Sequence, residues 1–285
     1  MPDDASRHEL ATSPSPLADG KLLVDVPADG VVRLTISNPA KRNALDHPIL
    51  DAITATLDRL SSADASAAAA RCLLITGANG MFSAGYDIGE IPSEEFEERA
   101  EKLVAHPFTE AIDALERFPY PTLAMLPGHT IGGGLELALA CDLRVAEEGI
   151  KLGMPPAKLG LVYSHTGLRR FIDAIGAART RELFLLGRYI DAPTALAWGL
   201  VTRVAPAERL EALTLELAGE LAGNAPLSQL GNKRVIAALL DAEGGLAPDV
   251  EQELIELRRA SFASEDMREG MRAFAEKRPP RWQGR

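Results

Sequence analysis

Three consecutive glycines and a single carboxylate, Gly132-Gly133-Gly134-Leu135-Glu136, are the residues of this chain whose types and spacing best suit chemistry. They lie in the stretch PGHTIGGGLELALACD, residues 127–142, where an apolar segment (residues 122–126) runs into the turn signal Pro127-Gly128. Consecutive glycines are poor helix interior, but they let a ligand approach the backbone without a Cβ in the way. The first amides of a helix lack internal partners and sit at its positive end, so this entrance could offer N–H groups to an anionic oxygen. Glu136 falls one turn further in. Amides facing a developing oxyanion beside a carboxylate are a catalytic arrangement. On this stretch alone the plainer reading stands equally: close packing of a helix on a strand, with Glu136 complementing the helix dipole.

The elements that position these residues can be read in order. Residues 22–26 and 31–36 are short β-type runs around Pro27-Ala28-Asp29-Gly30, which predicts a hairpin. Pro39 ends the second strand, and Asp46 can cap a helix over residues 47–60. Lys41 and Arg42 fall in the loop between them, either as solvated cations or as phosphate contacts. Residues 61–70 read as a low-complexity connector and RCLLIT, residues 71–76, as a buried strand. The loop GANGMFSAGYDIGEIP follows, with Ala84-Gly85 just past an apolar strand, where α/β folds place ligand sites.

A helix is predicted over residues 94–117, then strands over 142–146 and 150–154. After Pro155-Pro156 comes a helix from about His165, short helices over 180–186 and 193–198, and a last strand over 200–204. Residues 207–222, 227–240, 249–264 and 266–277 read as helices, which divides the chain into a tail (1–20), a core (21–206) and a C-terminal helical region (207–285) suited to oligomerisation.

Composition bounds the function. The 285 residues carry 46% hydrophobic and 25% charged residues, ordinary for a globular protein, with ample core. A net charge of −11 argues against nucleic acid or an anionic membrane as partner, so any phosphate site must be local. Cys72 and Cys141 fall in predicted buried segments and read as small hydrophobes of a reduced, cytoplasmic protein. No Cys/His spacing suggests a metal site. Glu136 and Asp142 interrupt the best candidate for a membrane span, and the acidic, Pro- and Ser-bearing first twenty residues read as a disordered tail, not a signal peptide.

FSAGYDI and IGGGLELALACD stand about fifty residues apart, each after a buried strand. With NPAKRNALD, ARTRELFLLGRYIDAPTALAWGLVTRV and EGMRAFAEKRPPRW in the same order, the chain from about Leu22 onward resembles the crotonase, or enoyl-CoA hydratase/isomerase, superfamily. The resemblance implies an α/β fold, a spiral of ββα units whose C-terminal helices assemble a trimer or a dimer of trimers. It implies an acyl-CoA thioester substrate, with coenzyme A as part of the substrate and no other cofactor. The thioester carbonyl would be polarised by two backbone amides, matched here to Ala84 and Gly133. Tyr86, Asp87 and Ile88 correspond to CoA-channel residues, Arg42 and Ala44 to a segment touching the nucleotide, and Phe274 and Lys277 to a C-terminal pair reaching CoA.

One departure bears on the reaction. Hydratases of the family hold water between two glutamates; Glu136 matches the first, and Pro156 occupies the place of the second. Proline has no ionisable group, and efficient hydration by the usual route is not expected. The pattern MPPAKLGLVYSHTG resembles the methylmalonyl-CoA decarboxylase branch, which lacks the second glutamate and carries histidine where Tyr86 stands. Glu136, Tyr163 and Tyr86 are then the side chains expected near the reacting carbon, while His129 and His165 read as a loop residue and a helix-start residue. The reaction implied is that of a lyase, decarboxylase or atypical hydratase; a single-base enoyl-CoA isomerase and a non-catalytic acyl-CoA-binding protein remain alternatives.

Overall fold

A computed structural model of the chain describes residues 13–61, 70–87, 107–243 and 248–281. The expected hairpin is present as β2 (Leu22–Ala28) and β3 (Val31–Ile36), extended by a short β1 (Ser15–Leu17). Asp46 accepts from the Ile49 amide at 3.1 Å and so caps α1 (His47–Ser61), whose buried face is Ile49, Leu50, Ile53, Leu57 and Leu60.

Three strand pairs then repeat. β4 (Cys72–Gly77) is followed by β5 (Met81–Ser83), β6 (Thr122–Leu126) by β7 (His129–Ile131), and β8 (Leu143–Glu147) by β9 (Lys151–Gly153). The first strand of each pair joins a seven-stranded sheet in the order β1-β2-β3-β4-β6-β8-β11. The second joins a four-stranded sheet in the order β10-β9-β7-β5, in which β10 (Tyr189–Asp191) pairs antiparallel with β9. Helices close each turn: α2 (Thr109–Arg117), α3 (Gly133–Leu139) and α4 (Pro156–Leu159). The result is the spiral of ββα units that the resemblance implied.

Next come α5 (His165–Leu186), α6 (Ala192–Trp198) and β11 (Arg203–Ala205), the last parallel to β8. The two helices expected around residues 165–186 are one element broken at Gly176, whose φ of 76° and ψ of 160° are not helical. Of the helix expected over 94–117, only the last turns, α2, fall within the described residues.

α7 (Ala207–Gly223) lays Leu210, Ala218 and Ala222 on the large sheet against Val31, Leu74, Leu123 and Val145. α8 (Pro226–Glu243) is tied to the sheet where Lys233 donates to Asp142 at 2.7 Å. α9 (Pro248–Ala263) and α10 (Glu265–Ala275) return over α4, with Phe262 and Met267 packed beside Leu159 and Leu161.

Adjacent turns of the spiral touch through backbone. A Cβ on Gly128, between β6 and β7, would lie 1.9 Å from the Gly80 carbonyl oxygen, whereas one on the exposed Gly219 of α7 would meet nothing within 4 Å. Gly128→Ala is therefore expected to lower the unfolding free energy by at least about 2 kcal/mol, as overpacking does. Gly219→Ala should raise it by about 0.5–1 kcal/mol through helix propensity. Urea unfolding of both variants checks the contrast.

Candidate active site

Parallel pairing of β5 with β7 puts the loops after them side by side. The three glycines at the start of α3 then serve separate needs. Gly132 adopts φ 56° and ψ −129°, a conformation open only to glycine. A Cβ on Gly133 would lie 2.6 Å from Tyr86 Cε1, and one on Gly134 2.6 Å from the Ser83 Cβ. From the other loop, a Cβ on Gly85 would come within 3.2 Å of the Gly133 nitrogen. The FSAGYD and IGGG segments thus meet at backbone distance.

A cavity of about 100 Å³ opens over this junction. Gly133, Tyr86 and Tyr163 line it together with Met154, Pro155, Pro156 and Leu159. Phe262 and Met267, brought by α9 and α10, cover it; neither was singled out by the sequence. Among the described residues, none that lines the cavity is acidic. Pro156, at the position where a second glutamate was sought, is buried at the start of α4.

Ala84 lines the cavity, but its amide does not serve as expected. The Ala84 N–H donates to the Arg42 carbonyl at 3.1 Å, an oxygen turned inward because Arg42 and Asn43 both adopt left-handed conformations (φ 53° and 55°). The assignment of Ala84 as an oxyanion donor is therefore corrected: its hydrogen is committed to the loop of residues 38–45. Asn43 holds that loop, donating to Ala78 and Met81 carbonyls at 2.9 and 2.7 Å. Leu45 bridges the next stretch in parallel register, its N–H bonding Gly85 O and its carbonyl accepting from Asp87 N. In such a bridge the peptide groups of the intervening residue, Tyr86, point away from Leu45.

The polar side of the cavity is a chain of hydroxyls. The Tyr86 and Tyr163 hydroxyl oxygens are 3.2 Å apart, and Tyr163 donates to Glu136 Oε2. The other carboxylate oxygen, Oε1, accepts from Arg170 Nη1 at 3.1 Å. Arg170 also grips Glu116 through Nε and Nη2 at 2.6 and 2.8 Å and reaches Asp113 at 3.3 Å. Rings hold the phenols in place: Phe108 stands edge-on to Tyr86 at 4.6 Å, and Phe184 to Tyr163 at 5.4 Å. Gly167, one turn into α5, is required here, since its Cβ would lie 2.6 Å from Tyr163 and 2.8 Å from Glu136 Oε1. Ser164 caps that helix by accepting from the Gly167 amide.

Glu136 is 2% exposed and does not line the cavity. Burial pushes its pKa up, against the pull of Arg170 and the Tyr163 hydrogen bond. The Tyr163 phenol is held well above its ordinary value by burial and by the neighbouring carboxylate, so it stays protonated. Burial lowers the Arg170 pKa, but its hydrogen bonds and charge partners, Glu116 foremost, raise it overall.

The remaining expected residues lie outside the cavity lining. Asp87 pairs with Lys41 at 2.7 Å, Ala44 is buried, and Arg42, Phe274 and Lys277 are exposed. Ile88 lies outside the described residues. His129 opens β7 instead of lying in a loop, accepting from the Lys151 amide; His165 starts α5, 3.3 Å from Glu251. Cys72 and Cys141 are buried and free. Among the described residues no cluster of three or more His, Cys, Asp or Glu could hold a metal ion, and no helix is long and apolar enough to cross a membrane.

Comparison with known proteins agrees with this geometry. The family model described as enoyl-CoA hydratase/isomerase matches residues 27–285. A probable enoyl-CoA hydratase of Bacillus subtilis is 36% identical over 265 residues, covering 89% of this chain and 95% of its own. Methylmalonyl-CoA decarboxylase of Escherichia coli is 31% identical over 246 residues, covering 86% and 91%. Among solved structures, methylmalonyl-CoA decarboxylase in complex with 2-nitronate-propionyl-CoA superposes with a TM-score of 0.82 at 29% identity, over 93% of this chain and 99% of that one.

Arg170 is the cation paired with the Glu136 carboxylate, pulling its pKa down against the larger effect of burial. Arg170→Met should lower stability at pH 7 by about 3 kcal/mol, the usual result of stripping one partner from a buried pair. The folded variant would then hold the Glu136 proton to still higher pH than the unfolded chain, whose ordinary value is 4.5. A proton bound more tightly when folded means stability that is present in acid and falls as pH rises. Thermal melts at stepped pH should show the deficit of the variant shrinking toward acid.

Proposed function

The chain belongs to the enoyl-CoA hydratase/isomerase (crotonase) family, and on that premise we propose that it is a lyase that removes carbon dioxide from a small carboxylated acyl-CoA thioester. The observation that carries this reading is the lining of the cavity: among the described residues it consists of two phenols with Met154, Pro155, Pro156 and Leu159, and it includes no carboxylate.

Hydration needs a group to hold and deprotonate water. An apolar wall solvates water poorly, and a carboxylate poorer still. Loss of neutral carbon dioxide needs no base. The bond between the α-carbon and the substrate carboxylate breaks, its electron pair passes toward the thioester carbonyl, and the oxygen takes the charge. In this reading that oxygen accepts from the Gly133 and Tyr86 amides, the second replacing Ala84. One such donor is worth about 3 kcal/mol of barrier. The α-carbon of the enolate then takes up a proton.

Substrate size follows the same walls, since about 100 Å³ suits a short acyl group, with the rest of the CoA outside. No cofactor besides the CoA of the substrate enters this chemistry. Arg42, Lys277 and Phe274, exposed on the surface, are the residues proposed to meet the nucleotide of CoA. Val235, Ile236, Leu239 and Leu240 of α8 are exposed, which supports assembly as a trimer or dimer of trimers. A reduced, cytoplasmic setting completes the proposal, supported by the two free buried thiols.

Purified protein incubated separately with methylmalonyl-CoA, crotonyl-CoA and a 3-enoyl-CoA, with products read by mass spectrometry, tests this. The expected outcome is propionyl-CoA from the first and hydration of the second at least about a hundredfold slower, the scale of losing one acid–base group. Turnover of crotonyl-CoA at an ordinary hydratase rate would overturn the decarboxylase reading. Conversion of the 3-enoyl-CoA alone would favour the single-base isomerase.

A further inference from the structure

Glu136 does not line the cavity. It is 2% exposed, and both carboxylate oxygens are taken, one by Tyr163 and one by Arg170. The two tyrosines do line the cavity. An ionised carboxylate only accepts, so the Tyr163 proton points to Glu136. Having given its one proton inward, the Tyr163 oxygen faces Tyr86 at 3.2 Å as an acceptor. Tyr86 lines the cavity with its ring against Gly133: a Cβ there would be 2.6 Å from Cε1 and 3.0 Å from Cζ.

We propose that Tyr86 and Tyr163 form a proton relay between the cavity and Glu136, with the Tyr86 hydroxyl as the catalytic group that exchanges a proton with the α-carbon of the thioester. The proposal rests on the enolate reading given above and names the residue that completes it. In the direction of abstraction, the α C–H bond breaks and its electron pair enters the enolate. The proton joins the Tyr86 oxygen, the Tyr86 proton passes to Tyr163, and the Tyr163 proton passes to Glu136. Both phenols end neutral and Glu136 ends as a carboxylic acid. In the direction of delivery, Glu136 starts protonated, each proton moves one place outward, and a C–H bond forms at the enolate carbon. Glu136 then ends ionised beside Arg170, the arrangement present in the structure, and regains a proton from solvent through the emptied cavity. Neither phenol has to persist as a phenolate. Tyr163 acts through Tyr86, as a positioning and relay residue.

The experiment is deuterium uptake at the α-carbon of propionyl-CoA in heavy water, followed by mass spectrometry, with binding of the same thioester measured by calorimetry. The full-length wild-type protein is expected to wash deuterium in. Tyr86→Phe keeps the ring on Gly133 and should slow exchange by about a hundredfold while binding changes by less than about threefold, as loss of an acid–base group predicts. Tyr163→Phe should do the same. Exchange by Tyr86→Phe at the wild-type rate would overturn the relay and leave the enolate reading intact. Equal losses of exchange and binding would mark Tyr86 as packing only and also overturn it. A wild-type protein that exchanges no α-proton would remove the enolate reading and the relay together.

Discussion

One buried carboxylate organises this molecule. Glu136 sits in α3, every residue of which is buried. Removing a carboxylate from water costs several kcal/mol even after relaxation, so partners must be in place before the fold is stable. Arg170 supplies the charge and Tyr163 the remaining hydrogen bond, and both come from the segment that ends in α5. Arg170 is itself anchored by Glu116 at the end of α2. Helices α2, α3 and α5 are thus tied through one arginine. Gly167 lets them close, because any side chain there would collide with both Tyr163 and Glu136.

The spiral has its own reason. A βα repeat alone would place successive loops along one sheet edge, about 5 Å apart per strand. Here each turn sends a second strand into a small sheet, so the segments after β5 and β7 run parallel and in contact. Such close approach is possible only where Cβ atoms are missing. Gly85, Gly133 and Gly134 occupy those points, and each meets a different neighbour. The glycine run is a record of tertiary contacts more than of helix propensity.

That explains what could and could not be read from the sequence. β2, β3, β4, β6 and β8 of the large sheet, α1 and the helical C-terminal third follow from period and caps and stand within a few residues of where they were expected. β1 falls in the stretch read as a disordered tail and corrects that reading for residues 15–17, and β11 starts three residues later than expected. The strands β5, β7 and β10 are three residues each, too short for any alternation to register. Glu136 and Tyr163 were legible because their neighbours carry the pattern. Arg170 was not, since Arg169 stands beside it and only the helix face decides which one points inward; Arg169 turns out to Asp173 instead. The choice of amide after β5 was likewise non-local. It depends on a carbonyl at Arg42, some forty residues earlier, turned inward by two left-handed residues in succession.

The same electrostatics connect the site to its chemistry. Arg170 already faces Glu136, Glu116 and Asp113, so the local charge is spoken for. A further carboxylate at the start of α4 would stand in the apolar wall without a cation of its own, and burial would keep it protonated. Proline there instead offers a fixed φ suited to a helix start and no donor to satisfy. Among the described residues, a cavity built this way has no carboxylate in its lining. Glu136 lies behind two phenols, hydrogen-bonded to Tyr163 and paired with Arg170. Under the proposed reading, reactions that shed a neutral fragment, or that shift one proton, suit such a site better than those that must activate water.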